Sequence, residues 1–173
     1  MRCRFPLAVL AVLAGLAFSP LPSLGGEGPE NYKVLAREGK GGYNVSAVQE
    51  FLDKGDASIS RGNLTAARKH YDKAREVAKQ LLSFYRDLGG AFRGLDARIP
   101  REMDAKGRET LSLLAKVNLR LAAVFRKQNQ PEIAVPLLVE VVRLTTPAKP
   151  EGKRAYQSLV ELGFVETPFL GGR

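Results

Sequence analysis

The stretch that decides the fold is residues 64–88, LTAARKHYDKAREVAKQLLSFYRDL. Its apolar residues recur at steps of three and four, which places them on one side of a helix. The dipeptides Gly62-Asn63 before it and Gly89-Gly90 after it are typical of a turn and a helix end. The sequence therefore predicts one long amphipathic helix between two breaks. Its apolar positions are Leu64, Ala67, Tyr71, Ala74, Ala78, Leu81, Tyr85 and Leu88.

Helices are also predicted on both sides of this stretch. Ser46 followed by Gln49 forms a capping-box pattern, which predicts a helix that begins there and continues to about Ile59. Downstream, Pro100 with an acidic residue behind it marks a second start, and that helix is predicted to end near Gln128. Its second half is apolar nearly all round, so we expect it at the centre of the core.

The remaining part of the chain contains two further predicted helices. Residues 133–144 are rich in β-branched side chains, which favours a strand on propensity alone. Pro131, Pro136 and the steps of three and four favour a helix instead. A short last helix is predicted over residues 151–162, and we expect three of its side chains to cover the end of the helical stack. These are Tyr156, Leu159 and Val160.

The N-terminus has the layout of a secretory signal peptide. Arg2 and Arg4 precede an apolar run that ends at Phe18, and small residues follow it. The run is shorter than the ~20 residues that a membrane-spanning helix needs, although an uncleaved anchor is the alternative interpretation. We predict that residues 1–25 are removed near Gly25, that the protein is exported and soluble, and that residues 26–45 form a flexible leader.

The composition argues against most catalytic chemistry. The chain has one Cys, which is Cys3 of the predicted signal peptide, and one His, which is His70. Thiol chemistry, disulfides and Cys-based metal sites are therefore not expected in the mature protein. A single His without an orienting partner does not make an acid–base or nucleophilic set. The sequence predicts a protein that is not an enzyme, with no cofactor and no metal site.

Asn44 and Asn63 each begin a formal glycosylation sequon. Both also lie just before a predicted helix, where an Asn side chain can accept a hydrogen bond from a free backbone N–H. Capping is the interpretation that the sequence favours for both residues.

A repeated pattern of small and large residues gives the chain its resemblance to a known family. Gly62, Ala67, Tyr71 and Ala74 have the spacing of the centre of a tetratricopeptide repeat, in which small residues lie where two helices cross. A similar frame recurs at Leu121, Ala122, Phe125, Asn129, Ala134, Leu138 and Val141. Over residues 46–147 the chain resembles a divergent tetratricopeptide-type protein.

Two departures accompany this resemblance. Residues 76–110 do not form a complete middle repeat, and Asn129 replaces the usual turn glycine. The alternative is an unrelated α-bundle that shares small residues at its helix crossings. The stretch after residue 117 is also similar to small exported repeat proteins of oxygenic photosynthetic bacteria, which implies the periplasm or the thylakoid lumen.

The resemblance implies an all-α fold of antiparallel helical hairpins. The chain would form an α-solenoid fragment with long helices over residues 46–163, a C-terminal capping helix and an irregular tail over residues 164–173. It also implies a non-enzymatic adaptor or assembly factor that holds an acidic or C-terminal segment of another protein, such as a member of a membrane-associated complex. In that family the concave groove is lined by the first helix of each hairpin, and Lys116 and Arg126 are placed there to pair with a carboxylate. The groove positions that the resemblance implies are Gln49, Asp56, Lys116, Ala123, Arg126 and Lys127.

The charge distribution supports a different hypothesis. The chain has 27 Lys and Arg against 18 Asp and Glu, a formal net charge of +9. Four cations follow the helical period on the predicted outer side of residues 64–88. This basic face consists of Arg68, Arg75, Lys79 and Arg86. It could bind a membrane surface or another polyanion, but nucleic acid is not expected because no aromatic residues are interleaved with the cations.

Overall fold

The computed structural model describes residues 43–171, which form five α-helices and no strand. The prediction of an all-α chain is therefore confirmed for this part. The predicted signal peptide and residues 26–42 of the predicted leader lie outside the described residues. The helices are α1 (Val45–Ser60), α2 (Leu64–Ala91), α3 (Arg98–Lys127), α4 (Pro131–Thr145) and α5 (Pro150–Glu161).

The first two helices are capped by asparagine. Asn44 Oδ1 accepts a hydrogen bond from the Ala47 backbone N–H at 2.7 Å, and Asn63 Oδ1 accepts one from Ala66 at 2.9 Å. The capping interpretation of both asparagines is confirmed. The prediction that Ser46 caps α1 is wrong, because the helix already begins at Val45 and the hydroxyl of Ser46 donates to the Asn44 side chain at 3.0 Å.

The glycine pair at the end of α2 has another role than the predicted one. The helix continues through Gly89 and Gly90 and ends at Ala91. Gly89 is buried against α3, where a Cβ on it would lie 3.2 Å from the Cβ of Met103. The glycine thus allows α2 and α3 to approach closely. The backbone reverses later, at Gly94, whose φ is +87°.

Helix α3 lies at the centre of the fold, as its apolar second half predicts. Each helix packs against the next one along the chain, and α3 also contacts α1 and α5, so that it contacts every other helix within residues 43–171. This position explains why its second half has few polar side chains. Its buried residues between 113 and 125 are Leu113, Leu114, Ala115, Val117, Asn118, Leu121, Ala122, Val124 and Phe125.

A second close crossing joins α1 and α2. Gly55 of α1 lies directly against the ring of Tyr71 of α2, and a Cβ on this glycine would overlap the ring. The Tyr71 side chain is completely buried. The small residue and the large one therefore fit each other closely at this helix crossing.

The C-terminal helices confirm one prediction and correct another. Residues 131–145 form a helix that includes Pro136, so helical spacing prevails over β propensity. The prediction that Tyr156 and Val160 cover the stack is wrong, because α5 buries Gly152, Ala155 and Leu159 instead. Tyr156 contacts the described part of the tail, residues 164–171, and its hydroxyl donates to the Thr167 carbonyl at 2.7 Å. None of the helices within residues 43–171 combines the length and hydropathy needed to cross a bilayer.

Candidate binding grooves

Two clefts open on the same face of the molecule, between α1 and α3. We call them together the α1–α3 groove. The upper cleft has a volume of about 940 Å³ and lies at the N-terminal end of α1, and the lower cleft has a volume of about 340 Å³ and lies at its C-terminal end. Both volumes fall in the range of about 300–1,000 Å³ that is usual for binding sites.

The upper cleft has an apolar floor and a charged rim. It forms because α2 and α3 are almost twice as long as α1, so their far ends project beyond Val45. Phe84 is partly exposed there, and Tyr43 meets it edge to face with 5.7 Å between ring centroids. The floor consists of Phe84, Tyr85, Leu88, Met103 and Leu113, and the rim includes Gln49, Lys106, Glu109 and Lys116.

The lower cleft is built around the carboxylate of Asp56. Arg120 of α3 donates to its two oxygens from Nε at 3.0 Å and from Nη2 at 3.3 Å. The Tyr71 hydroxyl also donates to Asp56 from below. Burial, followed by this hydrogen bond, raises the pKa of Tyr71 well above its ordinary value, so the hydroxyl keeps its proton. The Asp56–Arg120 ion pair therefore connects α1 with α3 and separates the two clefts.

Five of the six groove positions that the family resemblance implies line these clefts. They are Gln49 and Lys116 in the upper cleft and Asp56, Ala123 and Lys127 in the lower cleft.

Arg126 is the exception. Its Nη1 lies 3.3 Å from the Glu161 carboxylate and 3.5 Å from the Ser158 hydroxyl, so it ties α3 to α5 and is not a groove residue. By contrast, Lys116 and Lys127 form no ion pair with any residue between 43 and 171.

Arg120 is a groove residue that the sequence-based reasoning missed. It follows Lys116 by four positions and therefore lies on the same face of α3. This spacing of four residues is the feature of the sequence from which Arg120 could have been predicted. Its partner Asp56 could not be identified from the spacing, because the two residues are 64 positions apart in the chain.

Only part of the predicted basic face is directed to solvent, and each of its four charges lies beside a carboxylate. Arg75 Nη2 lies 2.5 Å from one oxygen of Glu140, and Lys79 Nζ lies 3.0 Å from the other. Arg75 also donates to the buried side chain of Asn118 at 2.9 Å. Both cations therefore point toward α3 and α4, where they are partly shielded from solvent.

The two outer members of the basic face are also paired. Arg68 lies 3.6 Å from Asp72 and over the Phe125 ring, while Arg86 lies 3.3 Å from Asp87. With a carboxylate beside every one of its four members, this face offers a polyanion much less free charge than the sequence suggests.

The ion pairs of Glu140 with Arg75 and Lys79 cross a third cavity, which we call the α2–α4 groove. It has a volume of about 610 Å³, and its floor contains Leu121 and Phe125 of α3. The groove is open because α2 and α4 do not pack against each other along their backbones. The wall formed by α4 includes Ile133, Pro136, Val139, Glu140 and Arg143.

Glu140 links α4 to α2, and its contribution to stability is expected to depend on pH. Burial alone raises the pKa of Glu140, but the hydrogen bonds and charges of Arg75 and Lys79 outweigh burial, so the net pKa is lowered. A carboxyl whose pKa is lower in the folded state than in the unfolded state stabilises the protein at pH values above the ordinary Glu pKa of about 4.3. This stabilisation is lost as the pH falls through the lowered pKa of the folded state.

We therefore expect Glu140→Gln to reduce the free energy of unfolding by about 1 kcal/mol at pH 7. This is the usual contribution, about 1 kcal/mol, of the hydrogen bonds of a partly exposed charged group to stability. The deficit should disappear as the pH falls well below 4, where the wild-type carboxyl is protonated in both states. Urea unfolding at a series of pH values measures this. Glu50→Gln, which removes an exposed i,i+4 pair with Lys54, is the control. A deficit that is the same at pH 3 and pH 7 would show that the ion pairs do not cause it.

Comparison with known proteins adds no relative. No family model, curated protein or solved structure matches the chain. What the chain binds therefore has to be inferred from its own residues.

Proposed function

We propose that this protein is a non-enzymatic binding module that holds a segment of another protein in the α1–α3 groove. The observation that supports the proposal is the groove itself, a large apolar cleft beside a smaller one that contains the Asp56–Arg120 ion pair, with two cations that have no acidic partner among residues 43–171. We further propose that residues 1–25 direct its export, to a periplasm or a thylakoid lumen.

The order of helix packing supports a tetratricopeptide-like arrangement. In this interpretation α1 with α2 and α3 with α4 are two hairpins, and α5 is the cap. Contacts of α1 with α3 and of α3 with α5 align the first helix of each unit along one side. The α1–α3 groove lies on that side, which is where a solenoid binds its ligands.

The side chains of the groove indicate the chemistry of the ligand. The aromatic and aliphatic floor of the upper cleft suits an apolar side chain, because burial of such a group is the main source of binding energy. Lys116 at its rim and Lys127 at the far end of the lower cleft suit carboxylates. The proposed ligand is therefore an extended segment with an apolar anchor and acidic groups, or with a C-terminal carboxylate.

The test is a binding measurement with matched variants. Peptides that combine an apolar residue with acidic residues, with free or amidated C-termini, are titrated against residues 26–173 by fluorescence anisotropy. We expect Lys116→Glu with Lys127→Glu to weaken binding at least tenfold while the circular dichroism spectrum stays unchanged. Each substitution replaces the attraction between a lysine and an acidic group of the peptide by a repulsion, and two such changes are sufficient for an effect of this size.

Lys69→Glu is the control for this double variant. Lys69 is an exposed residue of α2 outside both clefts, and the substitution makes a charge change of the same kind. It should leave peptide binding within twofold of the wild type. If the control and the double variant weaken binding equally, the effect is one of net charge and the groove is not the site. Binding that vanishes only when salt is added would favour the polyanion alternative.

A further inference from the structure

The tail after α5 presents an acidic and apolar face to solvent. It folds back along α5, where the ring of Phe169 meets Tyr156 edge to face with 6.3 Å between centroids. Val165 packs against the core, while Phe164 and Glu166 on either side of it are exposed. Phe164 is 60% exposed and Leu170 is 93% exposed. The outward side therefore combines large apolar groups with one carboxylate, which forms no ion pair within residues 43–171.

The α2–α4 groove has the opposite character. Arg75, Lys79 and Arg143 line it together with the carboxylates of Glu140 and Asp72, and Asp72 lies 3.6 Å from Arg68, which is outside the lining. Arg143 has no acidic partner among the described residues. Beside this cluster, Ile133 is 40% exposed and Val139 is 42% exposed. The groove therefore offers an apolar wall next to a surplus of positive charge.

We propose that the tail of one molecule binds in the α2–α4 groove of a second copy of this chain. In an extended tail the side chains of Phe164 and Glu166 lie on the same side, roughly 7 Å apart. Phe164 packs against Ile133 and Val139, and Glu166 binds Arg143 next to the Arg75–Glu140 pair. The partner is a second copy because each chain carries both complementary surfaces, while its own tail is held on α5 by Tyr156.

This contact joins two different surfaces, so it produces either a dimer with two exchanged tails or a longer chain of molecules. The α2–α4 groove lies between the second helices of the two proposed hairpins and shares no lining residue with the α1–α3 groove. Self-association and peptide binding are therefore separate properties of the molecule, and either can hold without the other.

The test is a complementation experiment in analytical ultracentrifugation, with residues 26–173 from micromolar to millimolar concentration. We expect the wild type to self-associate, and Glu166→Lys and Arg143→Glu each to weaken the association at least tenfold. A mixture of the two variants should associate again. In the mixture the native tail of the Arg143→Glu chain meets the native groove of the Glu166→Lys chain, and the reversed charges also match each other.

Two charge reversals at residues outside the proposed contact serve as controls. Asp104→Lys and Lys69→Glu affect exposed residues outside the tail and the α2–α4 groove, and should associate like the wild type. A wild-type chain that stays monomeric at all concentrations would overturn the proposal. So would self-association that Glu166→Lys leaves unchanged, or a mixture of the two variants that stays as dissociated as each variant alone.

Discussion

Replacing Gly55 by alanine is expected to destabilise the protein by about 2 kcal/mol, although alanine is the better helix former. A methyl group at this position overlaps the buried Tyr71 ring, and overpacking of a filled core costs about 1–3 kcal/mol, occasionally more. The ring cannot move away easily because its hydroxyl is bonded to Asp56. The gain of up to about 1 kcal/mol in helix propensity offsets only part of this cost.

Gly107→Ala is the matched control for this substitution. Gly107 lies within α3, and a Cβ on it would have no neighbour within 4 Å. Alanine there should therefore stabilise the protein by about 0.5–1 kcal/mol. Urea unfolding of the two variants should show changes of opposite sign. If both substitutions stabilise the protein, Gly55 is not at a close helix crossing.

Leu114→Ala is expected to have the largest effect of the substitutions considered, a loss of about 3 kcal/mol. Leu114 is 2% exposed and lies in the part of α3 that is surrounded by other helices. Removing three carbon atoms from such a site leaves a cavity that the neighbouring helices cannot fill, and comparable substitutions cost about 2–5 kcal/mol.

The control for Leu114→Ala is the same change one turn earlier in the same helix. Leu111 is only partly buried, so Leu111→Ala should cost about 1 kcal/mol or less. Chemical unfolding followed by circular dichroism measures both variants. Equal losses at the two positions would contradict the central position of α3.

The helices could be predicted largely from the sequence, because each has a clear apolar period and recognisable ends. Where the prediction of a helix end failed, a residue that resembles a local signal has another role. Gly89 has the appearance of a helix stop, but it is the place where α3 packs closely on α2. Ser46 has the appearance of a cap, but Asn44, two positions earlier, accepts the backbone hydrogen bond.

The residues that line the clefts could be predicted only in part. Five of the six positions that the resemblance implies for a groove line the two clefts. Arg126 lies outside both clefts because it pairs with Glu161, and two members of the basic face pair with Glu140; both carboxylates are distant in the chain from their partners. Period and spacing indicate which side of a helix a charge is on. They do not indicate which residue of another helix neutralises it.

The ion pair between Asp56 and Arg120 has a consequence for the length of any ligand. It crosses the α1–α3 groove between Lys116 and Lys127, which are separated by about 16 Å along α3 because a helix rises 1.5 Å per residue. An extended chain covers this distance with about five residues, at roughly 3.3 Å each. We therefore expect the proposed ligand to have its two anchoring groups about five residues apart and to pass over the ion pair between them.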